Sequence, residues 1–135
     1  MDPNRLRDVP FFSSLSKQDL AVVAQQTDEV DVPEGRVLVR EGDFGSEFFV
    51  IDSGTAEVTR GDARLAELGA GDFFGEMALL EEERRNATVT AKSPMTVIVM
   101  TRANFRALDR TAPEVHETVA REIAARRPDQ PTAPA

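Results

Sequence analysis

Apolar and polar positions change their rhythm twice along the chain, and each change marks a switch of secondary structure. Between residues 9 and 26 the apolar positions Leu15, Leu20, Val22, Val23 and Ala24 fall on one helical stripe. Ser16 stands before it as an N-cap with Asp19 at the third helical position, and Pro10 marks a turn further upstream. A helix ahead of the main body is predicted there. From Val30 the stripe gives way to short segments punctuated by glycine, and residues 37–39, 48–51, 55–59 and 64–68 each have the length of a strand. Turn signals at Gly35, Gly42, Gly54 and Gly61 separate them. Two more strands are predicted at 87–91 and 95–100 with a turn at Ser93 and Pro94, and the nearly all-apolar TVIVM run at 96–100 predicts a buried strand. The helical rhythm then returns. A short helix is predicted at 102–110 and a longer one at 112–127, where Val115, Val119 and Ile123 repeat every four residues and Pro113 suits the first turn.

Many short strands at close spacing predict a mainly β fold, a sandwich, roll or small barrel, flanked by helices. The chain has 135 residues, the size of one compact domain. Its expected organisation is an N-terminal lead at 1–8, a domain at 9–127 and a flexible Pro/Ala-rich tail at 128–135. No apolar run approaches the roughly 20 residues of a spanning helix, and the first residues carry no signal-like stretch. A cytoplasmic protein with no membrane association is therefore expected.

Charge and residue counts narrow the chemistry. With no cysteine and one histidine, His116, the chain has no thiolate nucleophile and no multi-histidine metal centre, and no catalytic set is recognisable. No enzyme activity, metal or cofactor is expected. Sixteen basic against 24 acidic residues give a net charge of −8, which argues against direct binding of nucleic acid. A small anion is still compatible, provided that a local pocket of backbone N–H groups and one or two arginines shields it.

The stretch GDFFGEMALLEEERRNATV at 71–89 offers such a pocket. Gly75 frees the backbone, residues 76–80 favour about one helical turn, and the first N–H groups of that turn point one way. Arg85 follows far enough on for the chain to turn back and bring a guanidinium over the same amides. On these residues the sequence resembles the cyclic nucleotide-binding domains, whose phosphate-binding cassette has a Phe-Gly-Glu start, a helical Ala-Leu segment, a short loop, then Arg, a small residue, Ala, Thr or Ser, and Val. Here those positions are Phe74, Gly75, Glu76, Ala78 and Leu79, then Arg85, Asn86, Ala87, Thr88 and Val89. The likeness extends upstream to Pro10, Phe11 and Phe12 and to the segment 40–58, and it covers about residues 9–127.

The resemblance implies a double-stranded β-helix, or jelly-roll-like β-roll, with an N-terminal helix and two C-terminal helices. It implies a sensing module that binds cAMP, with cGMP as the alternative, and relays binding through those last helices. Glu76 would accept a hydrogen bond from the ribose 2′-hydroxyl, Arg85 would pair with the cyclic phosphate, and the amides of Gly75, Met77, Ala78 and Asn86 would surround both. Beyond the nucleotide, the expected partner is a second copy of the chain or an unidentified protein effector.

Three features depart from the family pattern. Arg84 stands where a proline is common and competes for the phosphate if it faces inward, the acids Glu81, Glu82 and Glu83 lie beside the anion site, and Asn86 leaves the choice of base open. They support an alternative, a scaffold that kept the fold, lost the nucleotide and binds a protein. Gly42, Gly45, Gly54 and Gly71 read as turn residues, most of the eight phenylalanines as core, and His116 as exposed and without a partner.

Overall fold

The computed structural model describes residues 1–76, 79 and 83–126. The predicted elements appear in the predicted order, with further short ones among them. Helix α1 (Pro3–Arg7), a 3-10 turn (Pro10–Phe12) and α2 (Lys17–Ala24) come first. Ten strands follow: β1 (Asp28–Val32), β2 (Val37–Val39), β3 (Phe44–Gly45), β4 (Glu47–Ser53), β5 (Ala56–Arg60), β6 (Ala63–Leu68), β7 (Phe73–Phe74), β8 (Glu83–Arg84), β9 (Thr88–Ala91) and β10 (Met95–Thr101). Helices α3 (Arg102–Thr111) and α4 (Pro113–Arg126) close the described part.

The strands pair antiparallel throughout, in two four-stranded sheets ordered β1-β10-β4-β7 and β2-β9-β5-β6, with β3 and β8 forming a separate ribbon. Between the sheets lies one core, built from Val39, Phe49, Ile51, Val58, Phe74, Val89 and Val97 among others. A second core fills the outer side of the first sheet, where Phe48, Val50, Phe73, Ile98 and Met100 meet the helices. Successive residues of a strand face opposite ways, so β4 and β10 feed both cores in alternation. That is why the apolar run at 96–100 has no polar phase. The expected β-roll with flanking helices is the observed architecture.

The helices are held at identifiable points. The Ser16 hydroxyl oxygen accepts the Asp19 amide at 3.1 Å and starts α2 as the sequence predicts. At the start of α3, Thr101 and Asn104 form a reciprocal capping box. Phe11 from the 3-10 turn packs edge-on against Phe48 and Phe73, with centroids 5.7 and 5.5 Å away, and so plugs the N-terminal segment into the helical core. Val115 and Val119 of α4 are buried in the same core, with Ile123 packed at its edge.

Residues 3–7, within the expected lead, form a helical turn whose Leu6 is fully buried, and Arg5 beside it pairs with Glu29 at 2.9 Å and with Asp52. His116 corrects the sequence reading. It is half-buried, its ring centroid lies 4.1 Å from that of Phe105, and its Nδ1 lies 3.8 Å from an Asp109 carboxylate oxygen. Packing of α4 on α3 buries one side of the imidazole, a tertiary effect that helical spacing alone does not reveal. Residues 128–135 lie outside the described residues, and among the latter no helix is long and apolar enough to cross a membrane.

Candidate functional site

The candidate site is assembled from three segments that the β-roll brings to one place. The β3–β8 ribbon sets Phe44 opposite Arg84 and Gly45 opposite Glu83. Beyond it the pairing continues through two loop hydrogen bonds, Gly42 N–H to the Arg85 carbonyl at 2.8 Å and Arg85 N–H to the Asp43 carbonyl at 2.7 Å. The backbone of Arg85 is thereby fixed against residues 42–45. Its side chain turns inward, 7% exposed, and Nη2 donates to the Glu47 carbonyl at 2.8 Å.

Two glycines make the room for that guanidinium. A Cβ at Gly45 would fall on Arg85 Nε and Cζ, and one at Gly75 would stand 2.8 Å from Arg85 Nη1 and 2.7 Å from the Glu47 carbonyl oxygen. Gly75 also has a φ of +82°, which L side chains rarely adopt. Gly45 is therefore corrected from a turn residue to a strand residue whose missing side chain seats the arginine. Sequence could have flagged it, since a glycine inside a strand often marks a close approach.

Glu76 follows Gly75 and is buried, 7% exposed, which is rare for a carboxylate without a function or a partner. Its carbonyl accepts the Leu79 amide at 3.1 Å, the beginning of the helical turn expected at 76–80. Met77 and Ala78 lie outside the described residues, as do Leu80, Glu81 and Glu82. Asn86 is exposed, and its carbonyl accepts a hydrogen bond from Arg60 Nε at 2.8 Å. Arg84 is exposed and points the other way from Arg85. Its Nη1 donates to the Gly42 carbonyl at 2.8 Å, and its guanidinium sits over the Phe44 ring, 4.3 Å from the centroid.

Arg85 faces a cavity of about 240 Å³ lined by residues 37–40 and 43–47. A second cavity, about 270 Å³, shares Val37, Leu38 and Glu47 with the first and is faced by the apolar side chains of Val30, Phe49, Val97 and Val99. Burial pushes the Arg85 guanidinium below its ordinary value; the nearby Glu47 and Glu76 carboxylates work against that shift, and the Arg102 cation adds to it. Arg102, at the first position of α3, donates its backbone N–H to the Ser46 carbonyl at 2.7 Å and its Nη2 to the Gly45 carbonyl at 2.9 Å. The strand that seats Arg85 is thus tied directly to the first C-terminal helix. Neither Arg102 nor the Glu47 carbonyl was visible as a site element from spacing, because both act through backbone contacts between distant segments.

Chemically the site offers a buried guanidinium, a buried carboxylate near it and an adjoining, partly apolar recess that Asp28, Arg36 and Thr101 also line. Among the described residues no group of three or more His, Asp or Glu side chains is placed to hold a metal ion. The arrangement suits a ligand that carries a negative charge, a hydroxyl and an apolar part.

Comparison with known proteins gives the family. Residues 29–111 match the cyclic nucleotide-binding domain family. A cyclic nucleotide-gated potassium channel of Rhizobium etli is 35% identical over 123 residues, which cover 91% of this chain and 34% of the channel. The cAMP-dependent protein kinase regulatory subunit of Schizosaccharomyces pombe is 38% identical over 104 residues, 76% of this chain and 25% of that protein. The chain thus spans about a third of the length of the first relative and a quarter of the second. A crystal structure of a cyclic nucleotide-binding domain from Methylobacillus flagellatus superposes with a TM-score of 0.84 over 91% of this chain and 76% of that one; at 21% identity, the likeness is one of fold. The match over most of the β-roll, with Gly75, Glu76 and Arg85 inside it, establishes that this chain belongs to the cyclic nucleotide-binding domain family.

Proposed function

We propose that the chain is a regulatory sensor that binds cAMP in the β-roll, with cGMP as the competing ligand, and passes the binding event to α3 and α4. The observation that carries this reading is the seat of Arg85, a guanidinium buried between two glycines at the wall of a cavity with Glu76 buried nearby. A guanidinium at the wall of a cavity suits a cyclic phosphodiester, which supplies one negative charge of matching geometry. Glu76 accepts the ribose 2′-hydroxyl, a role for which an ionised carboxylate is suited because it only accepts. Gly75, with Met77, Ala78 and Asn86, contributes main-chain donors around the phosphate. The apolar recess at Phe49, Val97 and Val99 receives the flat base.

The placement of Arg102 supports the relay. Its two hydrogen bonds to Gly45 and Ser46 connect the phosphate seat to the start of α3, so a ligand that shifts the strand shifts the helix equilibrium by its differential affinity for the two arrangements. The onward partner is a second copy or another protein. The scaffold reading loses one of its supports here, since Arg84 is engaged by Gly42 and Phe44 and turned away from the seat. Calorimetric titration of the wild-type chain and Arg85→Ala with both nucleotides tests the proposal: binding by the former and its loss in the latter are expected. A wild-type chain that binds neither nucleotide at millimolar concentration leaves the scaffold.

A further inference from the structure

We infer that Arg84 and Phe44 form a clasp that holds Arg85 in its seat before any ligand arrives, a role that rests on the proposed nucleotide site for its functional meaning. The β3–β8 ribbon contributes two residues from each strand, too few for a stable ladder by themselves. Phe44 and Arg84 lie directly opposite one another in that ribbon, where cross-strand pairs contribute most. The Arg84 guanidinium lies over the Phe44 ring and also donates to the Gly42 carbonyl, so two residues of one segment are gripped by one side chain.

Exposure supports the same role. Seven of the phenylalanines are buried, whereas Phe44 is 59% exposed and contributes to neither core. The contact its ring makes is with the Arg84 guanidinium, 4.3 Å from the centroid. Strand alternation then does the rest, because a residue anchored on the outer face sends its neighbour inward. Arg84 held outside directs Arg85 toward Gly45, Gly75 and the Glu47 carbonyl. Loosening the clasp frees the two-residue ribbon and lets the Arg85 guanidinium leave its seat, so part of the binding energy is spent on restoring it.

The test combines a ligand-independent and a ligand-dependent readout. In the unliganded protein, NMR exchange of the Arg85 Nε proton with water should quicken in Arg84→Ala and in Phe44→Ala, with urea midpoints close to wild type, and stay slow in Arg84→Lys, which keeps a cation over the ring. Unchanged exchange in both alanine variants overturns the clasp, whether or not the protein binds a nucleotide. In titrations with cAMP each single alanine variant should bind about 3- to 10-fold more weakly, and the double variant no more weakly than the worse single one. Multiplying losses in the double variant, or wild-type affinity in Arg84→Ala, overturns it too. A wild-type chain that binds no nucleotide removes the proposed function and leaves the exchange measurement to decide the clasp.

Discussion

The guanidinium of Arg85 occupies the space in which a side chain on Gly45 would lie, and this exclusion joins two residues forty positions apart into one element. Gly45→Ala should therefore act at the site rather than on the fold. The added methyl meets the far end of a flexible side chain, which moves away and leaves the phosphate without its cation. Affinity for cAMP should fall by at least about 10-fold, near 1.4 kcal/mol, with a thermal midpoint within a few degrees of wild type. Calorimetry and a thermal melt on the same sample check both halves.

Arg85→Ala removes the cation altogether. Loss of a charged partner from a desolvated ion pair costs roughly 2–5 kcal/mol, on the order of 30- to several-thousand-fold in Kd. Stability should move differently. Folding lowers the guanidinium's affinity for its proton, so the folded state disfavours the charge, and this penalty applies at every pH below the folded-state value. It is relieved only in strongly alkaline solution and stays constant around neutrality. Arg85→Met, which fills the space without the charge, relieves that penalty but loses the hydrogen bond to the Glu47 carbonyl, so it should melt within a few degrees of wild type while losing cAMP binding; a midpoint far below wild type would show that the guanidinium supports the fold.

Glu76→Gln keeps the shape of the side chain and removes its charge. It should weaken cAMP binding less than Arg85→Ala, by about 10-fold, since a neutral hydrogen bond replaces a charge-assisted one of roughly twice the strength. The wild-type preference for cAMP over its 2′-deoxy analogue should shrink with it. Equal titration of both nucleotides against wild type would speak against a ribose role for Glu76.

Leu6→Ala examines the N-terminal turn. Leu6 is fully buried in the helical core, and truncation of such a residue costs about 2–5 kcal/mol. Urea denaturation should show a loss in that range, and an effect below about 0.5 kcal/mol, the scatter of surface substitutions, would mean that α1 is not anchored.

Strands β2, β4, β5, β6, β9 and β10 and the longer helices were legible because their apolar periods are strong and their ends are marked. Ser16 caps α2 and Pro113 opens α4 as read, and the run at 96–100 is the strand β10 that both cores share. Helix α1 was not legible, since five residues show too little of a period, and its burial depends on Leu6 meeting residues far along the chain. Strand β1 is exposed at four positions, three of them charged, as suits an edge, so alternation does not announce it. At the site, Arg85 and Glu76 stood out through the motif they share with the family. Gly45 and Arg102 did not, because one acts by having no side chain and the other through carbonyls of a distant strand.

The most direct measurement is a calorimetric titration of the wild-type chain with cAMP and with cGMP, run beside Arg85→Ala. A saturable heat with one site per chain, abolished or weakened by at least about 30-fold in the variant, is the predicted result. No heat and no thermal shift with either nucleotide at millimolar concentration, or equal binding by wild type and variant, would contradict the account.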